Sequence, residues 1–228
     1  MTTTYPKAMQ SIFKAHGGLA TWQSYRAMSF EFEKGGQMEK QFIDLSDRRE
    51  RVEASNVTMG YDGSNFWMEA DTSYKGNPMF YKNLMFYFYA MPFVLADDGI
   101  QYQEADPLRF DGVSYPGFRI SYGDGVGLSP EDEYFIHYNP KTYQMEWLGY
   151  TVTFYSKERS KSIKWIRYDD WKTINGLVLP NSLAWYKTED NMPIELRNRR
   201  EFKNVKLNKG PFKDSMFSKT ANAEIVTE

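Results

Sequence analysis

Cysteine is missing from all 228 residues, which excludes disulfides, thiolate metal sites, a cysteine nucleophile and a cysteine-borne lipid within this sequence. Histidine is nearly missing too. Only His16 and His137 occur; neither lies in an HExxH pattern, and there is no GxSxG nucleophile elbow. Charge of one sign is not in excess, since 28 basic residues face 30 acidic ones for a net charge of −2. The one local basic run is 197–200, so a phosphate-binding footprint is not expected, and neither is a nucleic-acid partner. A bilayer-spanning segment is not expected either. The longest uncharged run, 83–96, is too short and contains Pro92. The first residues, Met1 to Lys7, show no basic stretch followed by an apolar one, so no signal peptide is read there. That leaves a cytoplasmic protein or the mature part of an exported one.

What the chain has in plenty is ring surface: 17 Tyr, 16 Phe and 6 Trp, or 17% of the residues. This is more than a core strictly needs, and points to a cavity lining or a contact surface. The first element reads as an amphipathic helix over 6–16. Met9, Ile12, Phe13 and His16 form one stripe, Pro6 suits the first turn, and Gly17-Gly18 supplies the stop. His16 then falls in the last helical turn, where a cation is favoured and a structural role is common.

From there the period changes to two. Met28, Phe30 and Phe32 alternate with polar residues, Gly35-Gly36 turns the chain, and strands follow over 37–45, 48–54, 57–61 and 66–68. Asp62-Gly63 is a hairpin signal. The second half gives strands over 134–138, 144–155, 162–168, 171–174, 177–179, 183–187 and 195–207, with Asn175-Gly176 as the strongest hairpin turn. Pro180 marks the end or a bulge of one strand. The stretch 97–115 reads as a loop and is the one plausible seam. With no linker and no repeat, the expectation is one α+β domain, 1–228, of roughly ten sequential strands in a large antiparallel sheet.

Residues 77–96 break that pattern. Phe80, Leu84, Phe88 and Met91 fit one helical face, while Tyr81, Met85, Tyr87 and Tyr89 cover the other sides. A helix apolar nearly all round must be covered nearly all round, and Pro92 ends or kinks it. Two readings share that requirement: a lid over a ligand cavity, or an ordinary buried core helix. Under the first, the lining candidates are Phe80, Tyr81, Leu84, Met85, Phe88, Met91 and Phe93, and their Met and Tyr surfaces suit a lipid-like molecule.

Other candidates are thinner. The segment 122–133 holds Asp124, Glu131, Asp132 and Glu133 as oxygen donors, with Asp124 and Asp132 the best metal candidates. Its glycines do not match an EF-hand, however, and a glycine turn followed by a Ser129-Pro130 helix start is the simpler reading. Asp97-Asp98, Asp169-Asp170 and Glu146 are the carboxylates a glycan hydrolase would draw on, without any spacing that selects them. Trp147, Trp165, Trp171 and Trp185 invite stacking on sugars, though core packing is the commoner fate. No cofactor is expected.

Several segments carry a resemblance. They are His16-Gly17-Gly18 with Trp22, Tyr61-Asp62-Gly63 with Phe66-Trp67, and the block 77–99 with Ala90-Met91-Pro92-Phe93-Val94-Leu95-Ala96-Asp97. Asp124 to Gly127 with Ser129-Pro130, Gln144 to Leu148, and Asn175 to Pro180 complete it. On these the chain resembles an uncharacterised family of bacterial cell-envelope proteins with the LolA/LolB-like fold of outer-membrane lipoprotein-sorting proteins. The resemblance implies a curved half-barrel sheet, with the N-terminal helix and the aromatic insert on its concave face. It implies a periplasmic or envelope location, and an apolar small molecule, lipid or lipoprotein as partner. The expectation is a non-enzymatic binder. A scaffold module with a self-filled core and a hydrolase of glycan or lipid remain the alternatives.

Overall fold

The computed structural model describes residues 5–122, 132–154 and 160–227. Its helices are short: α1 (Lys7–Ala15), α2 (Leu19–Gln23), α3 (Pro78–Tyr81) and α4 (Leu84–Tyr89), with 3-10 turns at Phe93–Ala96 and Asp214–Met216. Among the described residues no helix is long and apolar enough to cross a membrane. The rest is strand. In chain order these are β1 (Ala27–Lys34), β2 (Gln37–Asp44), β3 (Glu50–Ala54), β4 (Val57–Tyr61), β5 (Phe66–Ala70), β6 (Ile100–Phe110) and β7 (Val113–Tyr122). They continue with β8 (Tyr134–Tyr138), β9 (Met145–Tyr150), β10 (Lys164–Ile174), β11 (Leu177–Glu189), β12 (Met192–Asn208) and β13 (Glu224–Val226). All thirteen belong to one antiparallel sheet, so the large sheet expected from the alternating pattern is present.

The chain forms two compact units. One comprises Met1–Leu19 and Met91–Arg200, the other Ala20–Ala90 and Glu201–Glu228. In the first, the strand order is β12-β11-β10-β9-β8-β7-β6. Here α1 docks by its predicted stripe, with Met9, Ile12 and Phe13 buried. Its C-terminal end is fastened to the sheet. The His16 carbonyl accepts the Val178 N–H at 2.9 Å, and the ring bridges Val178 and Met145. Gly17, at φ +100°, is indispensable there, because a Cβ on it would lie 2.2 Å from the Gly176 carbonyl oxygen.

In the second unit the order is β13-β5-β4-β3-β2-β1-β12. Registers place Met28, Phe30 and Phe32 beside Ile43, Gln41 and Glu39; beyond them lie Glu50 and Val52, then Tyr61 and Met59. These residues share one face, which α3 and α4 cover. The other face carries Phe42, Arg51 and Trp67. The chain after β12 closes it, through Phe212 against Phe42 at 5.7 Å and the Trp67 Nε1–H donating to the Phe217 carbonyl at 2.9 Å. Gly60 is required beneath Trp67, since a Cβ would stand 2.7 Å from the indole.

Four expectations need correction. Residues 97–115 are not a loop. They hold β6 and the start of β7, and the alternation of β6 is hidden by Pro107 and by a bulge between Ala105 and Leu108. The pairs 162–168 with 171–174 and 177–179 with 183–187 are one strand each, β10 and β11, bulged between Arg167 and Trp171. Pro180 lies within β11, opposite Trp171, and beside the register shift between the Asp170–Ser182 and Trp171–Pro180 pairs, so the bulge read for it is present. The C-terminal β13 had no signal beyond three residues. Finally, the 77–96 insert is not one helix.

Candidate functional site

The insert begins at Pro78, in the first helical turn where its missing N–H costs nothing. Asn77 caps that turn, its Oδ1 accepting from the N–H groups of Met79 at 2.8 Å and Phe80 at 3.2 Å. The helix stops after one turn because Lys82 is extended (ψ 120°) and Asn83 is left-handed (φ 54°). Asparagine tolerates that conformation better than other side-chain-bearing residues. It is held by two bonds: its N–H donates to Glu50 Oε2 at 2.8 Å, and its Nδ2 donates to the Arg48 carbonyl at 2.9 Å. Then α4 starts anew in a different phase.

That break rearranges the expected lining. The face Phe80–Leu84–Phe88–Met91 requires an unbroken helix and does not form; Phe80 and Leu84 are only half-buried. Tyr81, Met85 and Phe88 are buried, joined by Phe86 and Tyr89. The Tyr89 ring lies 5.0 Å from Phe30 and 4.4 Å from Phe202, and the Arg48 guanidinium sits 5.2 Å over Phe86. Met91 and Phe93 are buried in the other compact unit, where Phe93 meets His16 edge to face at 6.4 Å.

Beneath α3 and α4 the sheet face is apolar except at one spot. There Glu39, Gln41 and Glu50 are all buried, with Asn83 above them. Glu39 Oε1 accepts from Gln41 Nε2 and from the Tyr81 hydroxyl, both at 2.7 Å, and its Oε2 lies 3.6 Å from the Lys34 ammonium. Lys34 also covers the Tyr81 ring at 3.9 Å, while Lys82 covers Tyr61 at 3.7 Å. Burial pushes the Glu50 carboxyl up to about 8, opposed by the Asn83 N–H and reinforced by the nearby Glu39, so it is largely neutral at pH 7. Three buried atoms of this group have no hydrogen-bond partner among the described residues: Gln41 Oε1, Glu50 Oε1 and Asn83 Oδ1. Buried polar atoms are seldom left so, and each such atom calls for an explanation.

Sequence reading missed this polar spot, because in β2 it is Met38 and Phe42 that look inward. The structure does the opposite, leaving Met38 45% exposed and burying Glu39 and Gln41. A signal existed in the register. Once Val52 is assigned inward, Glu50 two residues earlier must share its face.

Several of the remaining candidates have structural partners. His16 is buried with Nδ1 donating to the Val178 carbonyl at 3.0 Å and Nε2 accepting the Met145 N–H at 3.0 Å, a neutral tautomer fixed by its two partners. Burial lowers its pKa to about 4, so the ring at this helix end is neutral at pH 7. His137 is likewise lowered to about 4 by burial, its Nδ1 facing the Tyr115 carbonyl at 3.1 Å. Asp169 receives a two-pronged Arg199, Asp170 accepts from Asn181 and Ser182, and Glu146 accepts from Asn139. Of the metal candidates, Asp132 accepts the Thr153 N–H and hydroxyl, whereas Asp124 and Glu131 lie outside the described residues. Among the described residues no group of three metal-ligating side chains gathers. Two surface hollows, of about 300 and 410 Å³, are lined by other residues than the insert.

Residues 55–201 match a family of unknown function, DUF6503. The chain belongs to that family. Comparison with functionally curated proteins finds no match. Among solved structures, this DUF6503 protein is similar to a LolA superfamily protein from Nitrosomonas europaea. The two are 11% identical with a TM-score of 0.51, over 92% of this chain and 97% of that one. It is also similar to a DUF1329 family protein from Desulfovibrio piger, at 12% identity and TM-score 0.50, over 91% and 97% of the two chains. At such identities the likeness establishes the fold, which is LolA-like, and nothing about cargo.

Proposed function

We propose that this DUF6503 protein is a non-enzymatic binding protein of the cell envelope that holds an apolar molecule, an acyl chain or lipid, against the β1–β5 face beneath α3 and α4. The observation that carries this reading is the construction of the cover. A broad apolar face (Met28, Phe30, Phe32, Val52, Val57, Met59) is closed by helices of only four and six residues. Helices this short have little stability of their own and persist through packing. A molecule offering equivalent apolar surface can take their place. The LolA-like fold supports the reading, and so do the two histidines, each committed to a backbone partner rather than to chemistry.

Complete burial of Phe86 and Tyr89 favours a second reading, in which the cover is permanent core and the chain is a scaffold of the envelope. Leu84→Trp separates the two. Leu84 is half-buried on α4, so a larger side chain leaves the fold intact but obstructs entry. Under the binding reading, saturable uptake of a fluorescent acyl-chain analogue by the native protein is lost in the variant at an unchanged urea midpoint. Absence of uptake by the native protein favours the scaffold.

A further inference from the structure

We propose that the molecule held on this face has an uncharged, hydroxyl-bearing polar end, and that this end docks on Gln41, Glu50 and Asn83. The inference rests on the binding reading above and adds the chemical class of the ligand.

Gln41 and Glu50 stand on neighbouring strands and share the covered face, while Asn83 reaches them from the cover. Their oxygen and nitrogen positions are fixed by bonds already made. Gln41 spends its amide N–H on Glu39, so its carbonyl oxygen points elsewhere and is unpartnered. Asn83 spends its amide N–H on the Arg48 carbonyl, so its Oδ1 is likewise unpartnered. Glu50 takes the Asn83 backbone N–H on Oε2 and nothing on Oε1. All three side chains are at most 3% exposed. The cover itself supplies two of the donors this spot does have, the Tyr81 hydroxyl on Glu39 and the Asn83 N–H on Glu50.

A hydroxyl group both donates and accepts, which satisfies amide oxygens and a carboxyl alike. A carboxylate or phosphate brings acceptors only, and sets negative charge beside the Glu39–Lys34 ion pair and the Gln41 and Asn83 oxygens. An ammonium would donate, but it would join Lys34, Lys82 and Arg48, whose cationic groups already lie over the Tyr81, Tyr61 and Phe86 rings. The uncharged donor is the remaining fit. An unpaired buried polar group on either side is what makes such a site discriminate.

The test uses an alcohol, a carboxylate and an amine of one chain length, titrated into the full-length protein at pH 7. The alcohol is expected to bind about tenfold more tightly than either charged amphiphile. In Gln41→Leu that preference collapses towards unity while carboxylate binding stays as it was. Should Gln41→Leu fail to fold, Asn83→Gly removes a second oxygen at a left-handed position that glycine accepts. Equal or tighter carboxylate or amine binding overturns the headgroup assignment and leaves the binding reading standing; so does a preference that survives the variant. No binding of any of the three overturns both.

Discussion

Two buried polar groups, one in each compact unit, are built on opposite plans. His16 is fully enclosed and every ring nitrogen is engaged, one with Val178 and the other with Met145. The Gln41–Glu50–Asn83 group is as deeply enclosed and leaves three atoms without a partner among the described residues. Enclosure alone therefore does not decide whether a polar group is fully bonded: His16 is, and the second group is not. A fully bonded polar group specifies one arrangement, as His16 does for the end of α1 against β9 and β11. An under-bonded one holds its cover weakly, because lifting that cover exposes the orphaned atoms to water and recovers part of their desolvation cost.

The largest effect that sharpens this contrast is expected at His16. His16→Ala strands the Val178 carbonyl and the Met145 N–H and removes the ring from its 4.5 Å contact with Trp171. A stability loss of about 3–5 kcal/mol is expected from urea unfolding. The same ring gives an acid signature. It protonates near pH 4 when folded and near 6.5 when unfolded, so the unfolded state binds more protons between these values. Stability should fall as pH drops from 6.5 to 4, and His137 adds to the slope. His16→Gln should flatten it.

Glu50 should behave in the reverse sense. Its folded pKa, about 8, lies above the ordinary 4.5, so the folded state binds the extra proton and stability declines as pH rises from 4.5 to 8. Glu50→Gln removes the ionisation and retains an acceptor for the Asn83 N–H. It should stabilise by about 4 kcal/mol at pH 8 and by almost nothing below pH 4.5, read from urea midpoints across pH. An unchanged pH profile would mean that Glu50 is not the buried neutral acid described. The smallest effect belongs to Gln41→Leu. It gives up one bond to Glu39 and one orphaned oxygen, so stability should change by less than about 1 kcal/mol. A loss as large as that at His16 would erase the distinction between the two groups.

Much of this architecture was legible in the residues. The stripe Met9–Ile12–Phe13–His16 gave α1, Asn175-Gly176 gave the β10–β11 turn, and Met28–Phe30–Phe32 gave β1 and its inward face. What stayed hidden did so for physical reasons. A segment apolar on every side, such as 84–91, has no period to reveal a break. The break lies in the left-handed Asn83, whose conformation is fixed by Glu50 and Arg48 rather than by its neighbours in sequence. In β6, Glu104, Asp106 and Pro107 suit the edge of a sheet and read as loop. In β2 the buried face carries Glu39, Gln41 and Ile43 while Met38 lies exposed on the other, so residue type alone does not tell inside from outside there.

The central claim is that α3 and α4 are a displaceable cover over a binding face. Tyr87, 36% exposed on α4, can be replaced by cysteine and labelled singly, since the chain has no other. With an environment-sensitive fluorophore at this position, titration with a long-chain alcohol should give a saturable shift as the cover moves, with an unaltered sheet signal in circular dichroism. A label that reports no change in a protein that remains folded would contradict the account, and identify the aromatic insert as fixed core.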